Sequence, residues 1–320
     1  MSTPTALIVG VSGQDGVLLS RHLLDLGYRV VGSTRGIDGQ PSARLAEGGI
    51  LDRIRLVTLN PSDPGAVAGL VKEVRPQEIY NLAGQSSVGS SFDAPLETVE
   101  SVTRGTIALL EAVRSCAPEA RFFNTGSSEC FGNTPVPATE TSPLSPRSPY
   151  GAAKAAGVHL VAVYRAAYGL FACSGITFNH ESPFRPARFV TRKVAAFVAD
   201  MVRGGPQRLK IGDTSIRRDW GWAPEYVQAF HLMLQAREPR DLILATGHSW
   251  SLAEFVDECF KSVGLSAQDH VEVDPSLFRP SEIQVSAGTP TAAREAIGWQ
   301  AKTLMPEIAA LLVRHELDRR

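Results

Sequence analysis

Short β-branched runs alternate with amphipathic segments through the first half of the chain. The runs predict strands at Ala6–Gly10, Arg29–Ser33, Arg55–Leu59, Glu78–Ala83, Arg121–Thr125 and Phe171–Phe178. The amphipathic segments predict helices at Gly16–Leu26, Asp63–Val74, Pro95–Ala117 and Tyr150–Tyr168. Regular alternation of this kind predicts an α/β fold with a doubly wound parallel sheet, in which ligands lie at the carboxyl ends of the strands.

The pattern becomes less regular after Asn179. A loop is expected at Arg185–Arg188, and a helix follows it through Met201. Further strands are predicted at Arg208–Gly212 and Leu242–Thr246, and further helices at Pro224–Leu234, Ser251–Val263, Thr291–Ile297 and Leu304–His315. We interpret residues 1–178 as one domain and residues 179–320 mostly as a smaller lobe that caps it, with part of that lobe returning to the sheet.

Composition and charge exclude several classes of protein. The 320 residues are 43% hydrophobic and 20% charged, which is ordinary for a globular chain with a large core. A net charge of −1 gives no general attraction to nucleic acid or to an anionic membrane. No signal sequence or apolar stretch of about 18 residues is evident, and four scattered cysteines without a CxxC pair favour reduced thiols over disulfides or a metal site. The expected location is the cytoplasm.

A glycine-rich turn joins the first predicted strand to the first helix. Its sequence is Gly10-Val11-Ser12-Gly13-Gln14-Asp15-Gly16. Glycines permit a tight turn and let backbone N–H groups approach a pyrophosphate at a helix N-terminus. A simple glycine-rich turn is the alternative, but the position between strand and helix favours a dinucleotide site.

The end of the second strand bears on which dinucleotide is bound. A carboxylate there would bond the ribose 2′-hydroxyl of NAD, whereas this strand ends in Gly32-Ser33-Thr34-Arg35. Arg35 can pair with a 2′-phosphate, so the sequence favours NADP over NAD. A solvated surface charge is the alternative for Arg35.

Tyr150 and Lys154 are separated by one helical turn at the start of a predicted helix that begins at Pro149. A nearby ammonium favours phenolate, so we expect a lowered tyrosine pKa and a usable base near neutral pH. Ser127 and Glu129 follow the fifth strand, where a hydroxyl can bond a sugar oxygen and a carboxylate can move protons on carbon. The alternatives are a solvated helical pair for Tyr150 and Lys154, and a structural cap or salt-bridge partner for Glu129. For His180, a role in binding a ligand and a structural role as a hydrogen-bonded histidine are equally favoured.

Several longer stretches are more specific than the glycine turn and the Tyr150–Lys154 pair. They are Phe-Asn-His-Glu-Ser-Pro at 178–183, Phe-Val-Thr-Arg-Lys at 189–193 and Arg-Arg-Asp-Trp-Gly at 217–221. Residues 80–86 and 127–129, with 273–275, 278–282 and 298–299 in the tail, add support. On these residues the chain resembles the extended short-chain dehydrogenase/reductases over nearly its whole length. Within them it is similar to the GDP-mannose 4,6-dehydratases.

This resemblance implies a Rossmann domain that binds NADP and a C-terminal lobe that binds GDP-mannose. The implied reaction is oxidation at C4, elimination of water across C5 and C6, and return of hydride to C6, with Ser127, Glu129, Tyr150 and Lys154 catalytic. The implied cofactor residues are Gly10, Ser12, Gly13, Gln14, Asp15, Gly16, Arg35, Asn60, Leu82, Ala83, Tyr150, Lys154 and His180. The implied substrate residues are Gln85, Ser86, Asn179, Val190, Lys193, Arg218, Arg279 and Glu282.

Some positions depart from the family pattern. Asn60 replaces an aspartate that commonly contacts adenine, and Phe184 replaces an arginine. Residues 36–40 replace a loop that reaches a neighbouring subunit, so a homodimer through the helices at Pro95–Ala117 and Tyr150–Tyr168 is favoured over the family's tetramer. A 4-reductase or epimerase, and a non-catalytic cofactor sensor on the same fold, remain alternatives.

Overall fold

The first half of the chain supplies six strands. The computed structural model describes residues 3–36 and 39–319, without the side chains of residues 40 and 41; Ile37 and Asp38, in the segment that departs from the family, lie outside it. The strands are β1 (Thr5–Val9), β2 (Arg29–Thr34), β3 (Arg55–Thr58), β4 (Glu78–Asn81), β5 (Arg121–Ser127) and β6 (Ala172–Thr177). Each begins within a residue of its predicted position.

Seven helices alternate with these strands. They are α1 (Gln14–Asp25), α2 (Gln40–Glu47), α3 (Pro64–Val74), α4 (Val88–Asp93), α5 (Pro95–Val99), α6 (Gly105–Cys116) and α7 (Pro149–Tyr168). The helix predicted over Pro95–Ala117 is present from Pro95 to Cys116, but a π-helical segment, Glu100–Arg104, interrupts its α-helical bonding between α5 and α6. Sequence analysis also missed the short helices α2 and α4.

The described part of the second half, up to Arg319, contains shorter strands and five helices. The strands are β7 (Asn179–Glu181), β8 (Leu209–Ile211), β9 (Arg217–Arg218), β10 (Trp220–Trp222), β11 (Leu242–Leu244), β12 (Trp250–Ser251), β13 (Val271–Val273) and β14 (Val285–Ser286). The helices are α8 (Val190–Val202), α9 (Ala223–Gln235), α10 (Leu252–Lys261), α11 (Thr291–Ile297) and α12 (Met305–Asp318).

The central sheet has the order β11-β6-β5-β4-β1-β2-β3, and all its strands are parallel. Because β1 pairs with both β2 and β4, β2 and β3 extend the sheet on one side of β1, and β4 and the later strands extend it on the other. The order of strand addition therefore reverses at β1. In a doubly wound sheet a crevice opens at this reversal, outside the carboxyl ends of the strands. The predicted fold class is therefore confirmed.

Helices cover both faces of this sheet, and β1 shows how the strand pattern places them. Ala6 and Ile8 pack with residues of α1 and α9 in one buried cluster. Leu7 and Val9 point to the opposite face and pack with residues of α3, α6 and α7. A strand buried on both faces carries a continuous apolar run, as this one does.

The capping lobe has a core of its own, in which α8, α10 and α12 pack around Trp220. A buried ion pair between Arg192 and Glu316 joins α8 to α12. The lobe returns to the sheet at β11, which pairs with β6. Direct bonds connect it to the glycine turn, since Gln14 Nε2 donates to His180 O at 3.1 Å and Ser182 Oγ donates to Gln14 Oε1 at 2.9 Å.

No described helix has both the length and the apolar character that a membrane span needs. Within residues 3–36 and 39–319, no group of three or more histidine, cysteine, aspartate or glutamate side chains is arranged to hold a metal ion. The four cysteines are free thiols.

Candidate active site

A cleft of about 1110 Å³ lies at the crevice of the sheet, between the Rossmann strands and the capping lobe. We call it the main cleft. All the residues that sequence analysis assigned to catalysis, cofactor or substrate line it, with the exception of Glu282. Residues separated by more than 200 positions in the chain thus converge on one cavity.

The glycine turn forms the floor of the main cleft. Gly10 and Val11 each donate a backbone N–H to Ser33 O at 3.0 Å, which fixes the turn against β2. Gly10 has a φ of +93°, and a Cβ on Gly16 would lie 2.5 Å from the carbonyl oxygens of Gly10 and Val11. No side chain caps the N-terminus of α1, so its first N–H groups are open to a phosphate.

Gly16→Ala is expected to distort this turn, because a backbone carbonyl cannot move aside as a flexible side chain can. The expected loss is about 1–3 kcal/mol in the free energy of unfolding, together with weaker dinucleotide binding. Gly69→Ala is the matched control: Gly69 is an exposed α3 residue with nothing within 4 Å of an added Cβ, and the change should be neutral or stabilising by up to about 1 kcal/mol. Urea unfolding and dinucleotide titration measure both; wild-type behaviour of Gly16→Ala would contradict this reading of the turn.

Two buried hydroxyls in the main cleft lack partners. Ser33 Oγ and Thr125 Oγ1 line the cleft and form no hydrogen bond with any described residue. Buried polar groups in native proteins are nearly always bonded, so a ligand that supplies partners fits here. Together with the turn, these hydroxyls indicate that the cleft suits a dinucleotide.

Arg35 lies at the rim of this half of the cleft. Its side chain is 69% exposed, and its NH1 lies 3.6 Å from Glu97 Oε1. Asn60 follows β3, and Leu82 and Ala83 follow β4, so all three border the same half.

Helix α7 begins beside the carboxyl end of β5 and brings Tyr150 and Lys154 to the cleft. Ser148 caps the helix by accepting the N–H of Gly151 at 3.0 Å, and Pro149 fills its first turn. Lys154 Nζ donates to Thr125 O at 2.7 Å and lies 5.9 Å from the centre of the Tyr150 ring. The structure therefore brings the phenol and the ammonium together as the spacing predicts.

The expected pKa of Tyr150 is corrected by the structure. Burial raises the pKa of Tyr150 above that of a free phenol, although the Ser127 hydroxyl acts to lower it. Desolvation of the phenolate outweighs the stabilising contacts here, and Lys154 donates its hydrogen bond to the backbone instead. Burial lowers the pKa of Lys154 to about 8, so its charge is itself sensitive to pH.

Glu129 lies in a 3₁₀ turn, Ser128–Cys130, directly after β5. Its N–H donates to Ser127 Oγ at 3.3 Å, and a Cβ on Gly151 would lie 2.7 Å from its carbonyl oxygen, so the turn packs tightly on α7. Burial raises the pKa of Glu129, while Arg218 and Arg279 act to lower it. Its carboxylate forms no hydrogen bond with another described residue and borders the cleft beside Ser127 and Tyr150.

The opposite end of the cleft is basic. Arg218 is buried and donates to Ile283 O at 2.7 Å and to Glu282 Oε1 at 2.8 Å. Arg279 also pairs with Glu282, at 3.3 Å, so Glu282 lies behind the cleft wall and holds both arginines. Although Arg279 takes part in this ion pair, its side chain still borders the cleft.

Lys193, Val190, Asn179, Gln85 and Ser86 complete the lining of this end. Lys193 Nζ donates to Lys210 O at 2.6 Å. These positions lie on α8, β7 and the loop after β4, so three separate elements contribute.

His180 is a fully partnered histidine. Its Nε2 lies 3.1 Å from both oxygens of Asp15, its Nδ1 lies 2.7 Å from Phe178 O, and its ring stacks on Tyr226 at 4.7 Å. Burial would lower the pKa of His180, but Asp15 outweighs it and raises the value. The ion pair links the glycine turn to the capping lobe, which favours the structural alternative.

Sequence analysis missed Asp219, which shapes the cleft from behind. This buried carboxylate accepts from the backbone N–H groups of Thr246 and Gly247, each at 2.9 Å, and from Thr246 Oγ1 at 2.8 Å. It thereby ties the loop after β11 to β9 and β10, which carry Arg218 and Trp220. The only sequence feature that pointed to a role for Asp219 was its place within the Arg-Arg-Asp-Trp-Gly stretch. Arg44, Arg185 and Arg188 were also missed as cleft residues.

Comparisons with known proteins find relatives over nearly the whole chain. A family profile described as GDP-mannose 4,6 dehydratase matches residues 7–312. GDP-mannose 4,6 dehydratase 1 of Arabidopsis thaliana is 40% identical over 98% of this chain and 90% of its own length. The human GDP-mannose 4,6 dehydratase is 36% identical over 98% of this chain and 91% of its own length.

Solved structures share the same architecture. The UDP-glucose 4-epimerase of Thermus thermophilus, in complex with NAD, superposes with a TM-score of 0.85 at 26% identity and covers 99% of this chain and 100% of its own. A dTDP-glucose 4,6-dehydratase from Streptomyces venezuelae has a TM-score of 0.85 at 22% identity, covering 99% of this chain and 98% of its own, and supports the fold alone. With a matching profile over nearly the whole length and relatives above one-third identity, the chain belongs to the GDP-mannose 4,6-dehydratase family of extended short-chain dehydrogenase/reductases.

Proposed function

We propose that this enzyme is a hydro-lyase that converts GDP-mannose to GDP-4-keto-6-deoxymannose and uses NADP without net turnover. The observation that carries the proposal is the position of Glu129, whose carboxylate borders the same cavity as Ser127, Tyr150 and Lys154. Elimination of water needs an acid/base group beside the oxidation machinery. A 4-reductase or an epimerase has no need of it.

Tyr150 is the proposed base for the proton on the sugar O4. Ser127 Oγ accepts the N–H of Glu129 and its hydroxyl interacts with Tyr150, so it is the proposed group that holds O4 beside the phenol. The cation of Lys154 favours the phenolate, which matters because burial disfavours it. The bound nicotinamide would supply the redox chemistry, accepting a hydride from C4 and returning it to C6, and Tyr150 would return its proton to C5.

Glu129 is the proposed acid/base for the elimination. A ketone at C4 acidifies the proton on C5, and the carboxylate removes it. The same carboxyl then protonates the C6 hydroxyl, which leaves as water. The raised pKa of Glu129 suits a group that must both accept and donate a proton near neutral pH.

The basic end of the cleft is the proposed GDP site. Buried phosphate needs charge-assisted hydrogen bonds, which Arg218 and Arg279 can supply while Glu282 holds them in place. Remaining substrate contacts are assigned to Gln85, Ser86, Asn179, Val190 and Lys193, all of which line the cleft. At the other end, the proposed preference for NADP rests on Arg35 and on the absence of a carboxylate from the Ser33-Thr34-Arg35 strand end.

Incubation with GDP-mannose tests the proposal. A 4-keto-6-deoxy product without consumption of added NADPH is expected, and stoichiometric loss of NADPH would indicate a reductase instead. Parallel incubations with dTDP-glucose and UDP-glucose test the base and the hexose. Absence of product from all three nucleotide sugars would contradict the proposal and favour a cofactor sensor.

The pH–rate profile is expected to fall on its alkaline side near pH 8. Lys154 is cationic below its pKa of about 8 and neutral above it, and only the cation favours the Tyr150 phenolate. Lys154→Arg should lower the rate but move this fall to higher pH, since a guanidinium keeps its proton. Measurement of kcat over a pH series checks the shift; an unchanged alkaline limb in the variant would contradict it.

A homodimer is the proposed assembly, and exposed apolar side chains support it. Leu96 is 82% exposed on α5, and Val163 is 56% exposed on α7, which packs against α5. Exposed apolar surface on adjacent helices is typical of an interface. The double variant Leu96→Asp and Val163→Asp is expected to sediment as a monomer, whereas Val136→Asp, 79% exposed in a loop outside these helices, should remain dimeric. A monomeric wild type, or a double variant that stays dimeric, would contradict this assembly.

A further inference from the structure

The first turn of α8 forms part of the basic end of the main cleft. Val190 and Lys193, three positions apart on one side of the helix, both border the cleft. Thr191 and Arg192 lie between them in the chain and are buried, with exposures of 2% and 4%. Arg192 does not border the cleft. The turn thus presents Val190 and Lys193 to a ligand and is anchored by the two residues between them.

Each of the two anchoring side chains bonds a carboxylate on another element. Thr191 Oγ1 donates to Glu181 Oε2, on β7, at 2.6 Å. Arg192 pairs with Glu316 of α12, which lies 124 positions further along the chain. Arg192 also donates to Pro183 O in the loop between β7 and α8. These bonds fix both the position of the turn and its rotation about the helix axis.

Glu316 is itself held in place. Arg203, which directly follows α8, donates from NH2 to the carbonyl oxygens of Glu316 and Leu317 at 2.8 and 2.7 Å. These bonds satisfy carbonyl groups at the C-terminal end of α12 that have no partner within the helix. The side chains of Arg192 and Glu316 are only 4% and 11% exposed. An ion pair buried this deeply is often no more stabilising than an apolar pair of the same volume, because both charges lose their water. Its distinctive effect is to restrict how α8 can lie against α12.

We propose that Glu316 is a positioning residue for the substrate site, which acts through Arg192 on the first turn of α8 and thereby sets the affinity for the nucleoside diphosphate. This rests on the proposed function, which assigns GDP to the basic end of the cleft. Glu316 does not border the cleft, so it makes no contact with the substrate itself. The glycine turn and the N-terminus of α1 belong to other elements, so binding of the dinucleotide should not depend on Glu316.

Isothermal titration with GDP and with NADP tests the proposal. Glu316→Gln removes the charge and keeps the size of the side chain, and it is expected to weaken GDP binding about 3- to 10-fold. Affinity for NADP should change by less than about twofold. Asp318→Asn is the matched control, because Asp318 is an exposed α12 residue whose side chain forms no ion pair within residues 3–36 and 39–319. Both of its affinities should equal those of the wild type.

Thr191 offers a second variant that leaves the buried ion pair intact. Thr191→Val removes the hydroxyl that bonds Glu181 and should weaken GDP binding in the same direction as Glu316→Gln. Thr191→Ser keeps a hydroxyl and should recover most of the affinity. Equal affinities in the valine and serine variants would contradict the anchoring of the turn.

A double variant with Lys193 separates positioning from a general loss of stability. Residues that act through one element give effects that do not add. If Glu316 acts through the turn that carries Lys193, then Glu316→Gln should cost less GDP affinity in a Lys193→Gln background than in the wild type. An equal cost in both backgrounds would overturn the proposal.

Limited digestion with trypsin tests the anchoring without any ligand. The bonds after Arg188 and Lys193 flank the first turn of α8, and both residues are exposed. Glu316→Gln should be cleaved there at least about threefold faster than the wild type, and Asp318→Asn should not. Unchanged cleavage in Glu316→Gln, or an equal loss of GDP and NADP affinity, would overturn the proposal. Failure of the proposed function would instead appear as a wild type that neither binds GDP nor forms product, and the digestion would still decide whether Glu316 holds the turn.

Discussion

Glu129→Gln is expected to stop water elimination while oxidation at C4 continues. The amide keeps the size of the side chain and its place in the 3₁₀ turn but cannot accept the C5 proton. We expect product formation to fall by about 10²- to 10⁴-fold, the usual contribution of a positioned acid/base group. With stoichiometric enzyme and GDP-mannose, reduced nicotinamide and a 4-keto hexose should accumulate, which absorbance and mass spectrometry would detect.

Glu73→Gln is a suitable control for that experiment. Glu73 lies on α3, is 57% exposed, pairs with Arg55 and does not border the cleft. Its replacement should leave turnover unchanged. Unimpaired dehydration by Glu129→Gln would remove Glu129 from the mechanism.

Tyr150→Phe is expected to block the reaction one step earlier. Without the phenol, the O4 proton loses its proposed acceptor beside Ser127, so neither reduced nicotinamide nor a keto sugar should appear. The expected loss is about 10²- to 10⁴-fold in the rate of oxidation. Single-turnover absorbance therefore separates the two variants, because reduced nicotinamide builds up in Glu129→Gln and stays absent in Tyr150→Phe.

Tyr164→Phe provides the matched control on the same helix. The Tyr164 hydroxyl donates to Glu111 Oε1 at 2.6 Å on the outer side of α7, away from the cleft. Its loss should cost about 1 kcal/mol of stability and leave catalysis intact. A Tyr150→Phe enzyme that still reduces the nicotinamide at the wild-type rate would show that the base lies elsewhere.

The sequence was sufficient to predict the sheet, because its strands are buried on both faces and carry continuous apolar runs. It was weaker wherever structure depends on distant partners. The two-residue strands β9, β12 and β14 are defined by their pairing with one another, and they are too short to show a local hydrophobic period. The π-helical segment within Pro95–Ala117 likewise could not be predicted, because the amphipathic pattern does not change where the helical hydrogen bonding changes.

In the site, too, features set by local sequence were predicted and features set by distant contacts were not. Tyr150, Lys154, Ser127 and Glu129 were found because their spacing follows from one helix turn and one strand end. The pKa of Tyr150 was wrong in direction because burial depends on the whole fold. Arg44 was missed since α2 has only eight residues, and its bond to Ser12 spans 32 positions in the chain.

The central claim is that oxidation, elimination and reduction occur on one sugar within one cavity. It is tested most directly with GDP-mannose carrying deuterium at C4, followed by NMR and mass analysis of the product. If a phenol and a carboxyl act in turn on the same bound ring, the deuterium should be recovered at C6 of the 4-keto-6-deoxy sugar and solvent hydrogen should enter at C5. Deuterium that is lost from the product, or that remains at C4 of an unchanged or epimerised hexose, would contradict the account.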